Sequence, residues 1–253
     1  MHFVGLGHSH IVALAKGAYA LAAQHGLATA EALTCRFFYL YDPQYEPPFV
    51  ATDDGRRLNA GILAAIRDGA PRFILTSIGG NEHNVLSIAQ RDGRFDFILG
   101  EDPELARDQQ AETIPEAAIR ETLRDWMADK TDILRALREA TDIPIVQIEP
   151  PPPLPRKHVL AYPKEFFRSR IDQRNLSPDT LRYKMWRVQS GILRDLCGDL
   201  GVMYVETQPD MIDSAGMLAA TAWGKDATHA NDHYGEAMVA SALRRVLDNP
   251  GRG

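Results

Sequence analysis

The chain has 253 residues, of which 45% are apolar and 25% charged, and its formal net charge is −6. The composition is that of a globular protein, and the basic face typical of nucleic-acid-binding proteins is not visible in it. No apolar run reaches the ~18 residues that span a bilayer, no signal peptide is visible, and two cysteines are too few for a disulfide framework. We therefore expect a single cytoplasmic domain over residues 1–253 that binds neither nucleic acid nor membranes.

Short apolar segments alternate with amphipathic ones along the whole chain. Apolar runs without polar alternation are typical of strands buried on both faces of a parallel sheet. The predicted strands are Phe3–Gly7, Cys35–Tyr41, Phe73–Ile78, Phe95–Leu99, Ile143–Ile148 and Val202–Glu206. The predicted helices are Ile11–Gln24, Asn59–Arg67, Pro115–Ala140, Ser177–Gly198 and Asn231–Leu247. This alternation predicts a doubly wound α/β fold.

A proline-rich segment, Glu149–Pro155, follows the fifth predicted strand directly. Its prolines cannot continue a strand, so a stiff polyproline-like loop should leave the carboxyl edge of the sheet, where ligands bind in open α/β folds. It is either a rigid connector or one wall of a cleft, and residues 150–176 are a candidate flap insertion.

Ser9 lies between the first apolar run and the first amphipathic stretch. The pattern predicts a strand, a tight turn flanked by Gly5 and Gly7, and then a helix. Because the carboxyl end of a buried strand is a rigid and exposed support, the Ser9 hydroxyl is a candidate nucleophile.

Two other segments carry groups that could bind a developing anion. Gly79 and Gly80 follow a strand, and Asn81 could direct a side-chain N–H at an oxyanion, although the segment also fits a turn with Asn81 in the left-handed conformation. Gly61, at the head of a predicted helix, could offer a free backbone N–H.

Asp226 and His229 lie three residues apart on the loop before the last predicted helix. This spacing lets the carboxylate accept a hydrogen bond from one imidazole nitrogen while the other nitrogen faces a cleft. A simpler interpretation is that Asp226 or Thr228 caps the helix.

Five of the eight histidines lie beside turns at the ends of predicted elements. They are His8, His10, His83, His229 and His233. They suggest an alternative, a zinc-dependent hydrolase in which His229 and His233 share a helical face. That alternative leaves Ser9, Gly61 and Asn81 unexplained.

In chain order these segments resemble the sequence blocks of the SGNH (GDSL-type) hydrolase superfamily. They are Gly7-His8-Ser9 where the family has Gly-Asp-Ser, Asn59-Ala60-Gly61 for Asn-x-Gly, Gly79-Gly80-Asn81-Glu82 for Gly-x-Asn-Asp, and Asp226-Ala227-Thr228-His229 for Asp-x-x-His. The resemblance spans residues 3 to about 245.

The resemblance implies a flavodoxin-like three-layer α/β/α sandwich around a mainly parallel five-stranded sheet. It implies Ser9 as nucleophile, His229 as general base and Asp226 as the residue that orients it. The implied oxyanion hole consists of the Ser9 and Gly61 backbone N–H groups and the Asn81 side chain. The implied substrate is a carboxylic ester, such as an acyl or O-acetyl group on a small molecule or carbohydrate, and no metal or cofactor is implied.

Two positions depart from the family pattern, because His8 replaces the Asp before the serine and Glu82 replaces the Asp after Asn81. Four further residues are candidates for substrate binding: His8, His10, His83 and Trp223. A weakly catalytic or non-catalytic binding protein on the same fold, and an acyltransferase, remain as alternatives, and the oligomeric state is open.

Overall fold

The computed structural model describes residues 1–23, 33–52, 55–90, 93–162 and 171–249. The strands are β1 (His2–Gly7), β2 (Thr34–Tyr39), β3 (Phe49–Thr52), β4 (Gly55–Leu58), β5 (Phe73–Ser77), β6 (Phe95–Asp96), β7 (Glu112–Thr113), β8 (Ile145–Ile148) and β9 (Met203–Val205). The helices are α1 (Ile11–Ala23), α2 (Ala60–Gly69), α3 (Glu82–Ser87), α4 (Glu116–Ala140), α5 (Arg156–Ala161), α6 (Asp179–Leu200) and α7 (Asp232–Asp248).

Five strands form the central sheet in the order β2-β1-β5-β8-β9, and every neighbouring pair is parallel. The sheet reverses its winding direction between β1 and β5, because the chain first adds β2 on one side of β1 and then β5 on the other. Loops after β1 and β5 therefore leave the same carboxyl edge side by side, which is where open α/β sheets bind ligands.

The strands are apolar on both faces because helices cover both faces. Phe3 and Leu75 pack toward α1 and α7, whereas Val4, Leu6 and Ile74 pack toward α2, α4 and α6. The fold is thus the predicted α/β three-layer arrangement with a parallel five-stranded sheet.

Helices α4 and α6 extend beyond the sheet and pack against each other. Leu123 and Met127 of α4 meet Met185 and Val188 of α6 in a third apolar cluster. This packing brings the middle of both helices over the loop that follows β5.

The five predicted helices are all present, with Gln24 outside the described residues. The prediction of a sheet strand over Phe95–Leu99 is wrong, because only Phe95 and Asp96 pair, with β7 and outside the central sheet. Asp96 and the Phe97 carbonyl instead accept hydrogen bonds from the buried Lys184 ammonium, each at 3.0 Å. These bonds tie the segment to α6. The antiparallel pair β3–β4 and the short helices α3 and α5 were not predicted.

The proline-rich segment is packed under α6. Trp186 Nε1 donates to the Pro150 carbonyl at 2.8 Å, and Arg182 donates to the Leu154 carbonyl at 2.6 Å. Both donors are buried, so the segment is a fixed connector as far as Pro155. Of the candidate flap over residues 150–176, positions 163–170 lie outside the described residues. In the part of the chain that the structure describes, none of the helices has the length and apolar character that crossing a membrane requires.

Candidate active site

Ser9 lies in the turn between β1 and α1, at the carboxyl edge of the sheet. The turn is fixed on both sides, because the His8 amide donates to the Ser77 carbonyl at 3.2 Å and the Leu40 amide donates to the Gly7 carbonyl at 2.8 Å. A Cβ on Gly7 would lie 2.8 Å from the Ser77 carbonyl oxygen, so only glycine fits this approach of β1 to β5. Ser9 itself is partly exposed on this rigid support.

Asp226 and His229 form a hydrogen-bonded pair on the loop before α7. His229 Nδ1 lies 2.9 Å from Asp226 Oδ2 and 3.1 Å from Oδ1. Asp226 Oδ1 also accepts from the amides of Thr228 at 2.9 Å and His229 at 2.8 Å. Since a carboxylate can only accept, Nδ1 carries the proton and Nε2 is the nitrogen left to take one.

Burial opposes ionisation of Asp226, but its hydrogen bonds outweigh the burial. The imidazole of His229 and the two backbone amides hold the pKa of Asp226 well below its usual range. The carboxylate is therefore charged at neutral pH, as it must be to stabilise an imidazolium at His229.

The alternative in which Asp226 or Thr228 caps the last helix is not what the structure shows. The N-cap of α7 is Asn231, whose side chain accepts from the Tyr234 amide at 3.1 Å. Asp226 is left to organise its own loop and His229.

A cleft of about 620 Å³ joins the β1–α1 turn to the Asp226–His229 loop. Ser9, His10, Asp226, His229 and Trp223 are among the residues that line it. The serine hydroxyl and the imidazole thus open onto the same space. His229 Nε2 has no hydrogen-bond partner among the described residues, so a bond from the Ser9 hydroxyl is not formed in this structure.

His10 fills the floor of the cleft between His229 and the turn after β5. Its ring centroid lies 4.8 Å from that of His229, and it is 7% exposed. A Cβ on Gly80 would lie 2.4 Å from His10 Cδ2, so glycine is required at Gly80 to admit the ring. Burial, with His229 and His83 nearby, lowers the pKa of His10 well below its ordinary value. His10 is a neutral wall of the cleft.

Asn81 occupies the N-cap position of α3 and lies next to Gly80. Its φ is −130°, so the left-handed alternative is wrong, and the positive φ of this turn, +71°, belongs to Gly79. Asn81 Oδ1 accepts from Asn84 Nδ2 at 3.0 Å. That bond orients the carboxamide so that its Nδ2 is directed away from Asn84, which suits a donor to an oxyanion.

Gly61 does not have the free amide that the sequence predicts. Its N–H donates to Asn59 Oδ1 at 2.8 Å, because Asn59 is the N-cap of α2. Gly61 and Asn81 are also absent from the lining of the cleft that contains Ser9. A part for Gly61 in oxyanion binding would require the Asn59 cap to open.

Three candidate substrate-binding residues take different positions. His8 packs against Tyr41 with ring centroids 4.9 Å apart, and burial, helped by the charge of Lys130, lowers its pKa to about 4. It is therefore neutral and does not replace the charge of the family's Asp. His83 has no exposed surface and contacts α6 rather than the cleft. Trp223 does line the cleft, and its Nε1 donates to the Leu218 carbonyl at 2.7 Å.

Three residues near the site were missed by the sequence analysis. Gln189 of α6 and Lys130 of α4 contact the turn after β5, and Tyr39 at the end of β2 lines the cleft. None lies within a sequence block, and long-range packing alone places them. Among the described residues, no three His, Cys, Asp or Glu side chains are grouped so that they could hold a metal ion.

Comparison with known proteins gives similarity in structure only. A scan against models of protein families and a search of curated proteins give no match. Among solved structures, the lipopolysaccharide acetyltransferase periplasmic domain of Salmonella ser. Paratyphi A aligns with a TM-score of 0.50 at 12% identity, over 97% of this chain and 83% of that one. The chain shares the fold of this acetyltransferase domain. A GDSL-like lipase from Bacteroides thetaiotaomicron (TM-score 0.47, 11% identity, 97% of this chain and 89% of that one) and an aryl esterase from M. smegmatis (0.47, 11%, 98% of each chain) are further neighbours. At such identities the similarity to these structures concerns the fold alone.

Proposed function

We propose that this protein is an SGNH-type serine hydrolase that cleaves a carboxylic ester through an acyl-enzyme. Ser9 is the nucleophile and His229 is the general base. Asp226 is the carboxylate that orients His229 and stabilises the imidazolium that forms when His229 takes the Ser9 proton. The observation that carries the proposal is the Asp226–His229 pair, whose Nδ1–Oδ2 distance is 2.9 Å, facing the cleft that Ser9 also lines.

The first half of the reaction acylates Ser9. His229 Nε2 takes the hydroxyl proton while Ser9 Oγ bonds to the ester carbonyl carbon, and the carbonyl π electrons move to the oxygen. When the tetrahedral intermediate collapses, the bond to the alkoxy group breaks and His229 returns the proton to the leaving alcohol. Water then repeats the sequence on the acyl-enzyme, which releases the acid and restores Ser9.

The state of His229 is consistent with this assignment. Its Nδ1 is engaged by Asp226, so Nε2 is the nitrogen that can accept a proton. A rotation of the Ser9 side chain, or the hydroxyl of the attacking water, would supply the missing donor. Catalytic hydrogen bonds are often long or unformed before substrate binds.

The oxyanion is proposed to form against the Ser9 backbone N–H and the Asn81 side chain. Each such donor contributes about 2.7–4 kcal/mol to the transition state. Gly61 can be a third donor only if its amide breaks the hydrogen bond to Asn59 Oδ1. We therefore assign most of the oxyanion stabilisation to the Ser9 amide and the Asn81 side chain.

The proposed substrate is a small-molecule or carbohydrate ester. Trp223 and Tyr39 line the cleft and offer aromatic surfaces on which an acyl chain or a sugar ring can pack. Lys16 and Lys225 also line the cleft, together with the carboxylates of Asp226 and Asp232, so the lining carries charges of both signs.

Labelling and mutation of Ser9 test the proposal. A fluorophosphonate should attach to Ser9 in the wild-type protein, and Ser9→Ala should abolish both labelling and hydrolysis of a short-chain aryl ester while leaving the unfolding midpoint unchanged. Ser214→Ala, at an exposed serine outside the cleft, is the matched control and should behave as wild type.

The outcomes separate the alternatives. A folded wild-type protein that neither labels nor hydrolyses any ester of a broad panel is a binding protein on this fold. Labelling at Ser9, together with faster product formation when an acceptor alcohol is added, identifies an acyltransferase. Retained hydrolysis in Ser9→Ala rules out the serine mechanism.

A further inference from the structure

The turn between β5 and α3, Gly79–His83, presents Asn81 at the carboxyl edge of the sheet. Since Asn81 is the side-chain donor of the proposed oxyanion hole, whatever fixes this turn also fixes the donor. A backbone turn with glycine at two positions has little stiffness of its own, because glycine restricts the backbone least.

One buried side chain from a distant helix makes most of the contacts that fix this turn. Gln189 of α6 donates from Nε2 to the Gly79 carbonyl at 2.7 Å and lies 3.3 Å from Glu82 Oε2. Its Oε1 accepts from the His83 amide at 2.6 Å and lies 3.1 Å from His83 Nδ1. Gln189 has no exposed surface, so no water substitutes for these bonds.

A second clamp acts through Glu82, which is 6% exposed. Its Oε2 accepts from the Asn81 amide at 3.1 Å, and its Oε1 pairs with Lys130 Nζ at 2.9 Å. A lone carboxylate beside an oxyanion would oppose the charge that develops there. The Lys130 ammonium compensates that charge while it anchors Glu82 to α4.

We propose that Gln189 and the Glu82–Lys130 pair are positioning residues that hold Asn81 in place for oxyanion stabilisation. None of the three acts on the substrate, and each acts through the backbone of the Gly79–His83 turn. The inference rests on the proposed function, because Asn81 needs a fixed position only if it donates to the oxyanion of that reaction.

Only a carboxamide satisfies the contacts of Gln189. The Gly79 carbonyl needs a donor and the His83 amide needs an acceptor, and Gln carries both on one planar group. Glutamate at this position would lose the donor and place a second carboxylate beside Glu82. Methionine, of similar length, would leave two buried backbone groups without partners.

Steady-state kinetics on an aryl ester test the inference. Gln189→Met should lower kcat by up to about 100-fold, with KM within about twofold because uniform substrate binding is unchanged. Lys130→Met should lower kcat by about tenfold, since this pair is partly exposed, and Lys130→Arg should restore most of it. The matched control is Lys184→Met, another buried polar side chain of α6, which contacts Asp96 and not the turn. It should lower the unfolding midpoint and leave kcat unchanged.

A measurement that does not depend on enzymatic activity separates this inference from the proposed function. Hydrogen exchange at the Asn81 amide should accelerate in Gln189→Met and Lys130→Met and remain at the wild-type rate in Lys184→Met. If Gln189→Met fails to fold, the inference can be tested by comparing Lys130→Met, which breaks the Glu82–Lys130 pair, with Lys130→Arg, which keeps it. A wild-type protein without esterase activity refutes the proposed function, whereas the exchange rates still decide whether the clamp holds Asn81.

Three results would overturn the inference. One is a Gln189→Met variant with wild-type kcat, and another is a loss of kcat in Lys184→Met as large as that in Gln189→Met. The third is an unchanged exchange rate at Asn81 in the Gln189 and Lys130 variants.

Discussion

Asp226→Asn gives the most direct test of the proposed base. An asparagine can keep its side-chain oxygen on the amides of Thr228 and His229, where Asp226 Oδ1 now accepts at 2.9 and 2.8 Å. Its NH₂ group then takes the place of Oδ2 and is a donor. His229 must respond by accepting at Nδ1, and the neutral ring then carries its proton on Nε2, where it cannot accept the Ser9 proton.

The expected cost follows from this exchange of tautomers. The same substitution in a Ser-His-Asp protease lowers kcat by about 10⁴-fold, and at 1.36 kcal/mol per tenfold that corresponds to roughly 5.4 kcal/mol of transition-state stabilisation. We expect a loss of this order in kcat on an aryl ester, with KM little changed. The folded state should survive because the two backbone bonds remain.

Asp213→Asn is the matched control for this substitution. Asp213 Oδ1 also accepts from two backbone amides of its own loop, Ala215 at 2.8 Å and Met217 at 3.0 Å, but within the described part of the chain it has no hydrogen bond to a histidine. Its variant should retain wild-type kcat. Activity in Asp226→Asn within tenfold of wild type would refute the assignment of His229 as a base oriented by Asp226.

Three further predictions concern the surroundings of the site. Gly80→Ala places a methyl group 2.4 Å from Cδ2 of the buried His10 ring, so it should lower the free energy of unfolding by about 1–3 kcal/mol and reduce kcat; a fully active, fully stable variant would contradict this packing. Burial lowers the pKa of His83 to about 3, opposed by its hydrogen bond to Gln189. The folded state keeps His83 neutral while the unfolded chain binds a proton below the ordinary histidine pKa of about 6.5, so the free energy of unfolding should fall as pH drops from about 6.5 toward 3. His83→Gln should flatten that slope in urea titrations at several pH values, and an unchanged slope would refute it. Gly235→Ala places a methyl group 1.9 Å from the Ala13 carbonyl oxygen, and it should lower the thermal unfolding midpoint and kcat together.

The parts of the site that could be predicted from sequence are those whose chemistry is local. Asp226 and His229 are three residues apart, so their pairing follows from one loop. Ser9 follows its strand within two residues, so its place at the sheet edge follows from the apolar run before it. The strand and helix pattern gave the layered fold for the same reason, since burial on both faces leaves a continuous apolar run.

The errors have physical causes as well. The run Phe95–Leu99 is apolar because it packs on α4 and α6, and an apolar run does not distinguish a sheet strand from a buried loop. The Gly61 amide is occupied because Asn59, a favourable N-cap residue, lies two positions before it. An Asn two residues before Gly61 is therefore itself a sequence signal that the Gly61 amide is capped.

Gln189 and Lys130 lie far along the chain from the turn that they contact. Their contacts depend on how α4 and α6 cross, which is set by many apolar residues together. The sequence around a single buried glutamine in an amphipathic helix does not indicate which residues its side chain contacts. This part of the site can therefore be identified only from the structure.

The relative position of Ser9 and His229 is linked to the crossing of α1 and α7, at which no proposed catalytic residue lies. A Cβ on Gly17 of α1 would lie 2.1 Å from the Glu236 amide nitrogen of α7, and one on Gly235 would lie 1.9 Å from the Ala13 carbonyl oxygen. The two helices therefore touch backbone to backbone, from the first turn to the middle of α1 and at the first turns of α7. Ser9 lies two residues before α1, and the loop that holds His229 directly precedes α7. A larger side chain at the crossing would push the two helices apart, and we expect Ser9 and His229 to move apart with them.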